Sequence, residues 1–421
     1  MRISTSTLYN AGVAGMQRET QQLLKTQQQL SSGQRVLTPS DDPVAAAQAL
    51  QVTQAQALNQ GYATNAGSAS DSLGLESNAL ASVIQLIQDV KVDAANAGDA
   101  SLSHADRASL ANDLRQKYQQ LIGLANTIDG NGHYLFAGYR GTTQPFAQTA
   151  SGAVAYSGDQ GQRLLTVAPS TQIAVSDSGA AVFQEIPTGN GSFATQAASG
   201  NTGTGVIDSG TVVDPAKWNA PGNSGSYTIK FAVDSSVNPP QTTYDIVDNA
   251  SGLSLLTGAP AAASGPYPGS YTSGAEIALG NIGGQVQIQG QPADGDSFTV
   301  QPSQKQDLFK TISDLANLLE TSNGGAQLTN GLVTAQQNLD NALDSVSAVS
   351  ASVGARQKAV SAATSAGQAT ALQYSQTLSR LQDLDYTAAI SEFSQQQMAL
   401  QAAQKSFAQL SGLSLFNYLG G

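Results

Sequence analysis

The segment YTAAISEFSQQQMALQAAQKSFAQL, residues 386–410, carries the clearest structural signal in this chain. Its largest apolar side chains recur at every seventh position: Tyr386, Phe393, Leu400 and Phe407. A second apolar series follows three positions after some of them: Ala389, Ala403 and Leu410. This spacing is typical of a helix that buries a narrow stripe against another helix.

A matching seven-residue series lies near the other end of the chain and consists of Tyr9, Met16, Leu23 and Leu30. We therefore predict that two terminal helices pair and enclose the remaining sequence. Both are rich in Gln, and such helices are marginally stable alone, because most helical stability comes from the packing of an apolar face. Matched helices of this kind at both ends favour a subunit of an assembly.

The composition excludes several classes of partner. The chain of 421 residues has a formal net charge of −12 and only 18 Lys and Arg residues. Nucleic acids and anionic membranes need clustered positive charge, so we expect neither as a partner. Because cysteine is absent, disulfides and thiolate metal sites are excluded. The first residues lack the apolar stretch of a signal peptide. The absence of such a stretch is typical of a cytoplasmic protein, or of one that a dedicated route exports without cleaving a signal peptide.

The first third of the chain has helical spacing. A helix over residues 8–32 ends at Gly33, and Asp42 before Pro43 marks the start of a second, Ala-rich helix that runs to about Gly98. Ser103 and Asp106 have the spacing of a capping box for a third helix.

From residue 133 to residue 302 the pattern changes to strand spacing. Tyr227, Ile229, Phe231 and Val233 alternate with more polar residues, as in a half-buried strand. Gly158–Gly161 stands between two apolar runs as a hairpin turn would. This region is predicted to be an inserted β-rich domain.

Helical spacing returns at Leu308, and from Leu339 a seven-residue step continues to Leu381. The next step, from Leu381 to Tyr386, is only five residues, which indicates a joint between two helices. The predicted fold class is α+β, in which long N- and C-terminal helices form a coiled-coil or helical-bundle stem that carries the inserted β-rich outer domain.

The sequence predicts three domains. They are a terminal coiled-coil layer (residues 1–45 and 384–421), a helical middle domain (46–132 and 303–383) and the outer domain (133–302).

No residue pattern indicates an enzyme. His104 and His133 are the only histidines, and neither has the spacing of a metal site. Asp294 and Asp296 could be two calcium ligands, but without further ligands nearby a turn is the favoured interpretation. We predict no catalytic residue, no metal site and no cofactor.

Several longer motifs resemble those of the bacterial flagellin superfamily. LSSGQRVLTPSDDP, residues 30–43, resembles its N-terminal signature, and LDYTAAISEF (384–393) and LSLFNYL (413–419) resemble its C-terminal end. The TPSDDP portion and GHYLFAG (132–138) are closer to the hook-associated members of the superfamily than to flagellin. The resemblance covers roughly residues 1–146 and 290–421.

The resemblance implies a structural subunit of the bacterial flagellum, an adaptor at the hook–filament junction. The implied partners are further copies of itself in a ring, the adjacent hook-associated junction protein, flagellin, and an export chaperone that binds the C-terminal helix. The implied location is the extracellular flagellum, reached without a cleaved signal peptide.

The subunit interfaces are expected to use the two terminal series and the motifs beside them. The predicted interface residues are Tyr9, Met16, Leu23, Leu30, Arg35, Pro39, Asp41, Asp42, Pro43, Tyr386, Ile390, Phe393, Leu400, Phe407, Leu410, Leu415, Phe416 and Tyr418.

Two alternatives remain open from the sequence. The chain could be a flagellin, the filament subunit itself. Its outer domain could also bind glycans or carry an enzymatic site, which a deep pocket with paired carboxylates or aromatic side chains in residues 147–300 would support.

Overall fold

The computed structural model describes residues 5–150 and 152–419, with side chains for all of these except residues 5, 8 and 410–419. The helices are α1 (Thr5–Ser32), α2 (Pro43–Ala97), α3 (His104–Ala125), α4 (Pro215–Trp218), α5 (Leu308–Thr321), α6 (Gly325–Gln382) and α7 (Tyr386–Leu419), and a π-helical turn spans Ala180–Gln184. Long helices at both ends of a β-rich middle region confirm the predicted α+β class.

Fifteen short strands lie among the described residues between α3 and α5. They are β1 (Phe146–Gln148), β2 (Val154–Tyr156), β3 (Leu164–Ala168), β4 (Thr171–Ala174), β5 (Ile186–Pro187), β6 (Phe193–Ala197), β7 (Val206–Ile207), β8 (Thr211–Val212), β9 (Tyr227–Asp234), β10 (Gln241–Asp248), β11 (Gly269–Ser270), β12 (Glu276–Ala278), β13 (Gly284–Gln289), β14 (Ser297–Pro302) and β15 (Lys305–Gln306).

The chain forms two compact units. The first, here called the terminal unit, contains the described residues of Met1–Ala66, Val167–Ser170 and Ala362–Gly421. The second, the central unit, consists of the described residues of Gly67–Thr166 and Thr171–Ser361. The tip of the β3–β4 hairpin, which the sequence places in the insert, therefore belongs to the terminal unit. The division into three layers stays a prediction.

The helices of the central unit follow their seven-residue spacing. On α2 the buried series is Leu73, Leu80, Ile87 and Ala94, and on α6 it is Leu339, Val346, Val353 and Val360. The third helix begins with the predicted capping box, since the Ser103 hydroxyl accepts the Asp106 amide and the Asp106 carboxylate accepts the Ser103 amide. Helix α3 packs on α5, and the rings of Tyr118 and Phe309 meet edge to face at 6.3 Å.

The GHYLFAG motif and the segment after it contribute to an aromatic cluster between the insert and α5. Phe136 and Phe146 are fully buried. Both rings contact Phe183 of the π-helical turn, with centroids 5.2 and 5.3 Å apart, and Phe146 also lies 5.2 Å from Phe309 of α5. The motif thus joins the start of the insert to the helices.

Two sheets of the insert form a β-sandwich, while β1-β2, β3-β4 and β5-β15 are separate two-stranded sheets. One sheet has the antiparallel order β11-β10-β9-β14-β6, and the other has the order β12-β13-β7, with β8 also paired to β13. The predicted strand at Tyr227 is β9, which pairs with β10 along its whole length. Apolar residues of both sheets form one buried cluster that includes Phe231, Phe298 and Ile288.

The predicted hairpin at Gly158–Gly161 is wrong. Strand β2 pairs with β1 and β3 pairs with β4, so the strands on either side of this turn do not pair with each other. The reason is a local network at Asp159, whose carboxylate accepts the amides of Tyr139 (3.0 Å) and Gly161 (2.8 Å). The Tyr156 hydroxyl also donates to the Asp159 carbonyl (2.7 Å). Two further bonds attach the turn to the GHYLFAG segment: the Asp159 amide donates to the Ala137 carbonyl (3.2 Å), and the Tyr156 hydroxyl lies 3.0 Å from the Phe136 carbonyl.

Among the described residues, none of the helices combines the length and apolar character needed to cross a lipid bilayer. The same part of the chain contains no group of three or more His, Cys, Asp or Glu side chains arranged to hold a metal ion.

The sandwich core provides a direct stability test. Phe298 is fully buried and its ring lies 5.8 Å from that of Phe231. Phe298→Ala is expected to lower the free energy of unfolding of the insert by about 3–5 kcal/mol, because it removes buried apolar surface and leaves a cavity. Urea unfolding followed by the fluorescence of Trp218, which belongs to the same core, measures the change.

The matched control is Val213→Ala, because Val213 is 63% exposed. That variant should unfold within about 0.5 kcal/mol of the wild type. A Phe298→Ala midpoint equal to that of the control would mean that the two sheets do not share one core.

Candidate subunit-interface surface

The turn between α1 and α2 is bonded to the turn between α6 and α7. The Arg35 amide donates to the Gln382 carbonyl at 2.7 Å, and the Leu384 amide donates to the Gly33 carbonyl at 2.9 Å. These two backbone hydrogen bonds flank an antiparallel bridge between Gln34 and Asp383. All of these residues lie in the terminal unit. We call residues 33–43 together with residues 381–386 the joint.

Arg35 reinforces the joint with its side chain. Its Nη2 donates to the Leu381 carbonyl at the end of α6 (2.9 Å), and its Nη1 is paired with Asp42 (3.1 Å). The carbonyl of Arg35 accepts the side-chain amide of Gln29 on α1 (2.6 Å). The Arg35 guanidinium group, which offers several donors in a fixed geometry, thus contacts the end of α6 and the residue before α2, while the Arg35 carbonyl contacts α1.

The two aspartates of the signature shape the turn between α1 and α2. Asp41 accepts the amides of Leu37 and Thr38 at 3.1 and 2.9 Å and pairs with Lys25 at 2.7 Å. The hydrogen bond from Lys25, followed by that from Thr38, lowers the pKa of Asp41 to about 2. Asp41 is therefore a stable anion at neutral pH.

Asp42 caps the second helix. Its Oδ1 accepts the Ala45 amide at 3.0 Å, and Pro43 is the first residue of α2, which is the favoured arrangement at a helix start. The Ala45 amide first, and then Arg35, hold the pKa of Asp42 below its usual value. Pro39 lies exposed at the turn itself.

Helices α1 and α7 pack together in the terminal unit, as the matching series predict. The rings of Tyr9 and Phe407 lie 5.0 Å apart at an angle of 51°. Gly12 makes this approach possible, because a β-carbon there would lie 2.8 Å from the Phe407 ring. Of the remaining described members of the two seven-residue series, Tyr386 is exposed. The others are only half-buried: Met16, Leu23, Leu30, Phe393 and Leu400.

A row of apolar side chains on these two helices stays in solvent. Tyr386 is 52% exposed, Ile390 54% and Met398 62% on α7, and Tyr9 is 55% exposed on α1. Leu24 on α1 is equally exposed. We call these five residues the terminal apolar surface. A single copy of the chain thus buries only part of its apolar terminal side chains.

The sequence missed two members of this surface. Leu24 and Met398 fall outside the seven-residue series, so only their apolar character on a polar helix could have indicated them. Of the predicted interface residues, the side chains of Leu410, Leu415, Phe416 and Tyr418 lie outside the described residues, although the backbone of α7 is helical to Leu419. The assignment of the whole set to subunit interfaces stays a prediction.

Two residues considered as possible metal ligands, His104 and Asp296, have structural roles. The ring of His104 is bonded to the Glu320 carbonyl at 3.0 Å. Asp296 is buried and accepts the amides of Thr202 (2.8 Å), Gly203 (3.0 Å) and Ala293 (2.8 Å). Such a carboxylate fixes a turn, in agreement with the favoured interpretation of this motif.

A cavity of about 560 Å³ lies in the central unit, between β6, β14 and the helices α5 and α6. Its lining is mainly Thr, Gln, Asn and Ala, and its only charged side chains are Lys310 and Asp314. These two form an ion pair at 2.7 Å. The cavity therefore has neither the paired carboxylates nor the aromatic platform expected of a glycosidase or glycan-binding site.

Both ends of the chain match known helical families. Residues 3–141 match the bacterial flagellin N-terminal helical region, and residues 336–419 match the bacterial flagellin C-terminal helical region. The joint and the terminal apolar surface lie within these two matches.

Similar proteins extend the match across the insert. The chain is 30% identical over 416 residues to flagellar hook-associated protein 3 of Escherichia coli, covering 99% of each protein. It is 39% identical over 186 residues to flagellar hook-associated protein 3 of Salmonella typhimurium, covering 44% of this chain and 58% of that relative. The solved structure of the flagellar junction protein FlgL from Legionella pneumophila superposes with a TM-score of 0.69 at 29% identity, covering 80% of this chain and all of the other (100%).

The joint depends on a glycine, and this dependence can be tested. Gly33 has a φ of +71°, and a β-carbon there would lie 2.9 Å from the Tyr386 hydroxyl. Gly33→Ala is expected to destabilise the terminal unit by about 1–2 kcal/mol, because an L-residue is strained in the left-handed region. Hydrogen exchange at the amides of Arg35 and Leu384 should accelerate.

Gly15→Ala is the matched control. Gly15 lies within α1, and a β-carbon there would meet nothing within 4 Å. Alanine favours a helix over glycine by about 1 kcal/mol, so this variant should exchange no faster than the wild type. Unchanged exchange of both amides in Gly33→Ala would show that the joint does not hold the two turns together.

Proposed function

This chain belongs to the family of flagellar hook-associated protein 3, and we propose that it is the subunit that joins the flagellar hook to the flagellin filament. Its role in the flagellum is structural, not enzymatic. The support is a relative aligned over 99% of both chains and a flagellin-type helical region at each end.

The terminal apolar surface is the observation that carries this proposal. Tyr386, Ile390 and Met398 are more than half exposed in one chain. Full burial of a side chain of this size contributes roughly 1.5–3 kcal/mol relative to leaving it in water. Several such residues per copy, repeated around a ring, would offset the entropy lost when subunits associate. We therefore propose that neighbouring copies cover this surface.

The ring has a different protein on each side in this proposal. One side meets the adjacent hook-associated junction protein, and the other meets the first flagellin subunits. The contact with flagellin is supported by the match of residues 3–141 and 336–419 to flagellin helical regions. Terminal helices of the same family in the two proteins could pack in the same arrangement. The predicted interface residues of α1, α7 and the joint would make these contacts.

The joint gives such a ring its stiffness. Arg35 connects the end of α6 to the cap of α2, and the bond from Leu384 to Gly33 connects the segment before α7 to the turn after α1. Hydrogen bonds therefore hold the joint, which is not a free loop. This arrangement suits a mechanical adaptor.

The chain is a component of the extracellular flagellum. We propose that it leaves the cell unfolded through the flagellar export channel, without a cleaved signal peptide. The absence of cysteine suits this route, because no disulfide has to form or break on the way. An export chaperone would bind helix α7, whose apolar residues are exposed before assembly. The insert would then face outward, as the predicted three-layer arrangement requires.

The two alternatives have less support. A relative that aligns over 99% of both chains bears the name of a hook-associated protein and not of flagellin. A glycan-binding or enzymatic outer domain would need a suitable site, and the cavity beside α5 lacks the side chains for one.

A charge placed on the terminal apolar surface tests the proposal. Ile390→Asp changes a residue that is 54% exposed, so the purified variant should melt close to the wild type. In the assembled ring the aspartate would be buried without a partner, which is strongly unfavourable. Cells carrying only this variant should build hooks, fail to retain filaments and shed flagellin into the medium, as seen by electron microscopy and by assay of the culture supernatant.

The control is Val213→Asp, which places the same charge on a 63% exposed β-branched residue of the insert. Cells with this variant should swim normally. The proposal fails if Ile390→Asp cells swim as well as the control, or if Val213→Asp abolishes filaments to the same degree.

A further inference from the structure

Glu76 of α2 is fully buried in the central unit. One of its oxygens, Oε1, accepts the backbone amide of Asp177 at 2.9 Å. The other, Oε2, has no hydrogen-bond partner among the described residues. If this carboxylate were ionised, its negative charge would be buried away from water and one of its two oxygens would have no hydrogen bond. Such burial is energetically costly.

The guanidinium group whose charge favours ionised Glu76 is already engaged. Arg356 of α6 pairs through Nη2 with the Asp177 carboxylate and donates through Nη1 to the Ala174 carbonyl at 3.1 Å. Asp177 also accepts the side-chain amide of Gln162 at 2.7 Å. The Asp177 and Arg356 side chains are only 9% and 15% exposed. Glu76, Asp177 and Arg356 together contribute two carboxyl groups and one guanidinium group, so these three side chains are neutral as a set only when one carboxyl carries a proton.

Arg163 lies beside the same segment through its backbone. Its amide donates to the Ser176 hydroxyl at 3.2 Å, and its carbonyl accepts the Val175 amide at 2.8 Å. The charges that act on Glu76 are those of Asp177 and Arg356. Burial first, and then the negative charge of Asp177, raise the pKa of Glu76 to about 8, against the attraction of Arg356.

We propose that Glu76 is a proton-dependent latch that holds residues 174–178 between α2 and α6. In the closed latch the carboxyl group keeps its proton, is therefore neutral, and accepts the Asp177 amide through Oε1. Loss of this proton leaves an unpaired anion inside the core and loosens the segment that leads from the β3–β4 hairpin into the π-helical turn.

The sign of the pH dependence follows from proton binding. The unfolded chain releases the Glu76 proton near the ordinary glutamate pKa of 4.5, whereas the folded chain keeps it to about pH 8. Between these values the folded state holds one more proton than the unfolded state. The latch therefore stabilises the fold fully below pH 4.5, and this stability is lost as the pH rises through about 8. The unfolding equilibrium constant should increase by up to about tenfold per pH unit within the window.

The test compares the full-length wild type with Glu76→Gln by urea unfolding from pH 5 to pH 9. Glutamine has the shape of the neutral acid and cannot ionise, so the stability of the variant should be nearly independent of pH apart from the titration of the other groups. The difference between the two proteins should grow toward alkaline pH. Glu320→Gln is the matched control, because Glu320 is a helical glutamate with a 49% exposed side chain, and it should keep the wild-type slope.

Infrared spectroscopy provides a readout that does not depend on how the variant folds. The wild type at pH 6.5 should show the carbonyl stretch of one protonated carboxyl group, which disappears near pH 9 and is absent from Glu76→Gln. Parallel pH slopes for wild type and Glu76→Gln, or the absence of this band in the folded wild type at pH 6.5, would overturn the proposal.

Discussion

The hydrogen bonds between Arg35 and Gln382 and between Leu384 and Gly33 hold the two ends of the chain together. The pairing of the terminal helices starts at this contact, because α1 ends and α7 begins beside the joint and the two helices pack on each other. The contact requires the left-handed backbone of Gly33 and the close approach of Tyr386. The LSSGQRVLTPSDDP signature around Gly33 is therefore explained first by contacts within one folded chain. The exposed side of the joint is then available to neighbouring subunits.

Helices and strands whose apolar residues repeat at a regular short spacing were predicted correctly from the sequence. The five-residue step between Leu381 and Tyr386 placed the joint between α6 and α7, which end and begin at Gln382 and Tyr386. The alternation around Tyr227 placed β9, and the stripe that starts at Leu308 placed α5. These signals are reliable because the side chains that a helix or strand buries repeat at its own period.

Features that depend on distant residues were not predicted. The prediction of a hairpin at Gly158–Gly161 failed because Asp159 and Tyr156 bond to the GHYLFAG segment, which no local pattern shows. The cluster of Glu76, Asp177 and Arg356 is similarly invisible, since its members are separated by long stretches of chain. A seven-residue series also indicates which side chains can be buried, but not which copy of the chain buries them. For that reason the exposure of Ile390 and Met398 became evident only from the structure.

The central claim is that the terminal apolar surface is free in one chain and covered in the flagellum. Because the chain has no cysteine, a single introduced thiol can report on it through its rate of labelling by a maleimide. The Ile390→Cys variant should label rapidly as purified subunit and be protected in intact flagella, whereas Val213→Cys should label in both. Equal labelling of Ile390→Cys in the free subunit and in flagella would contradict the account, because the surface would then remain in solvent after assembly.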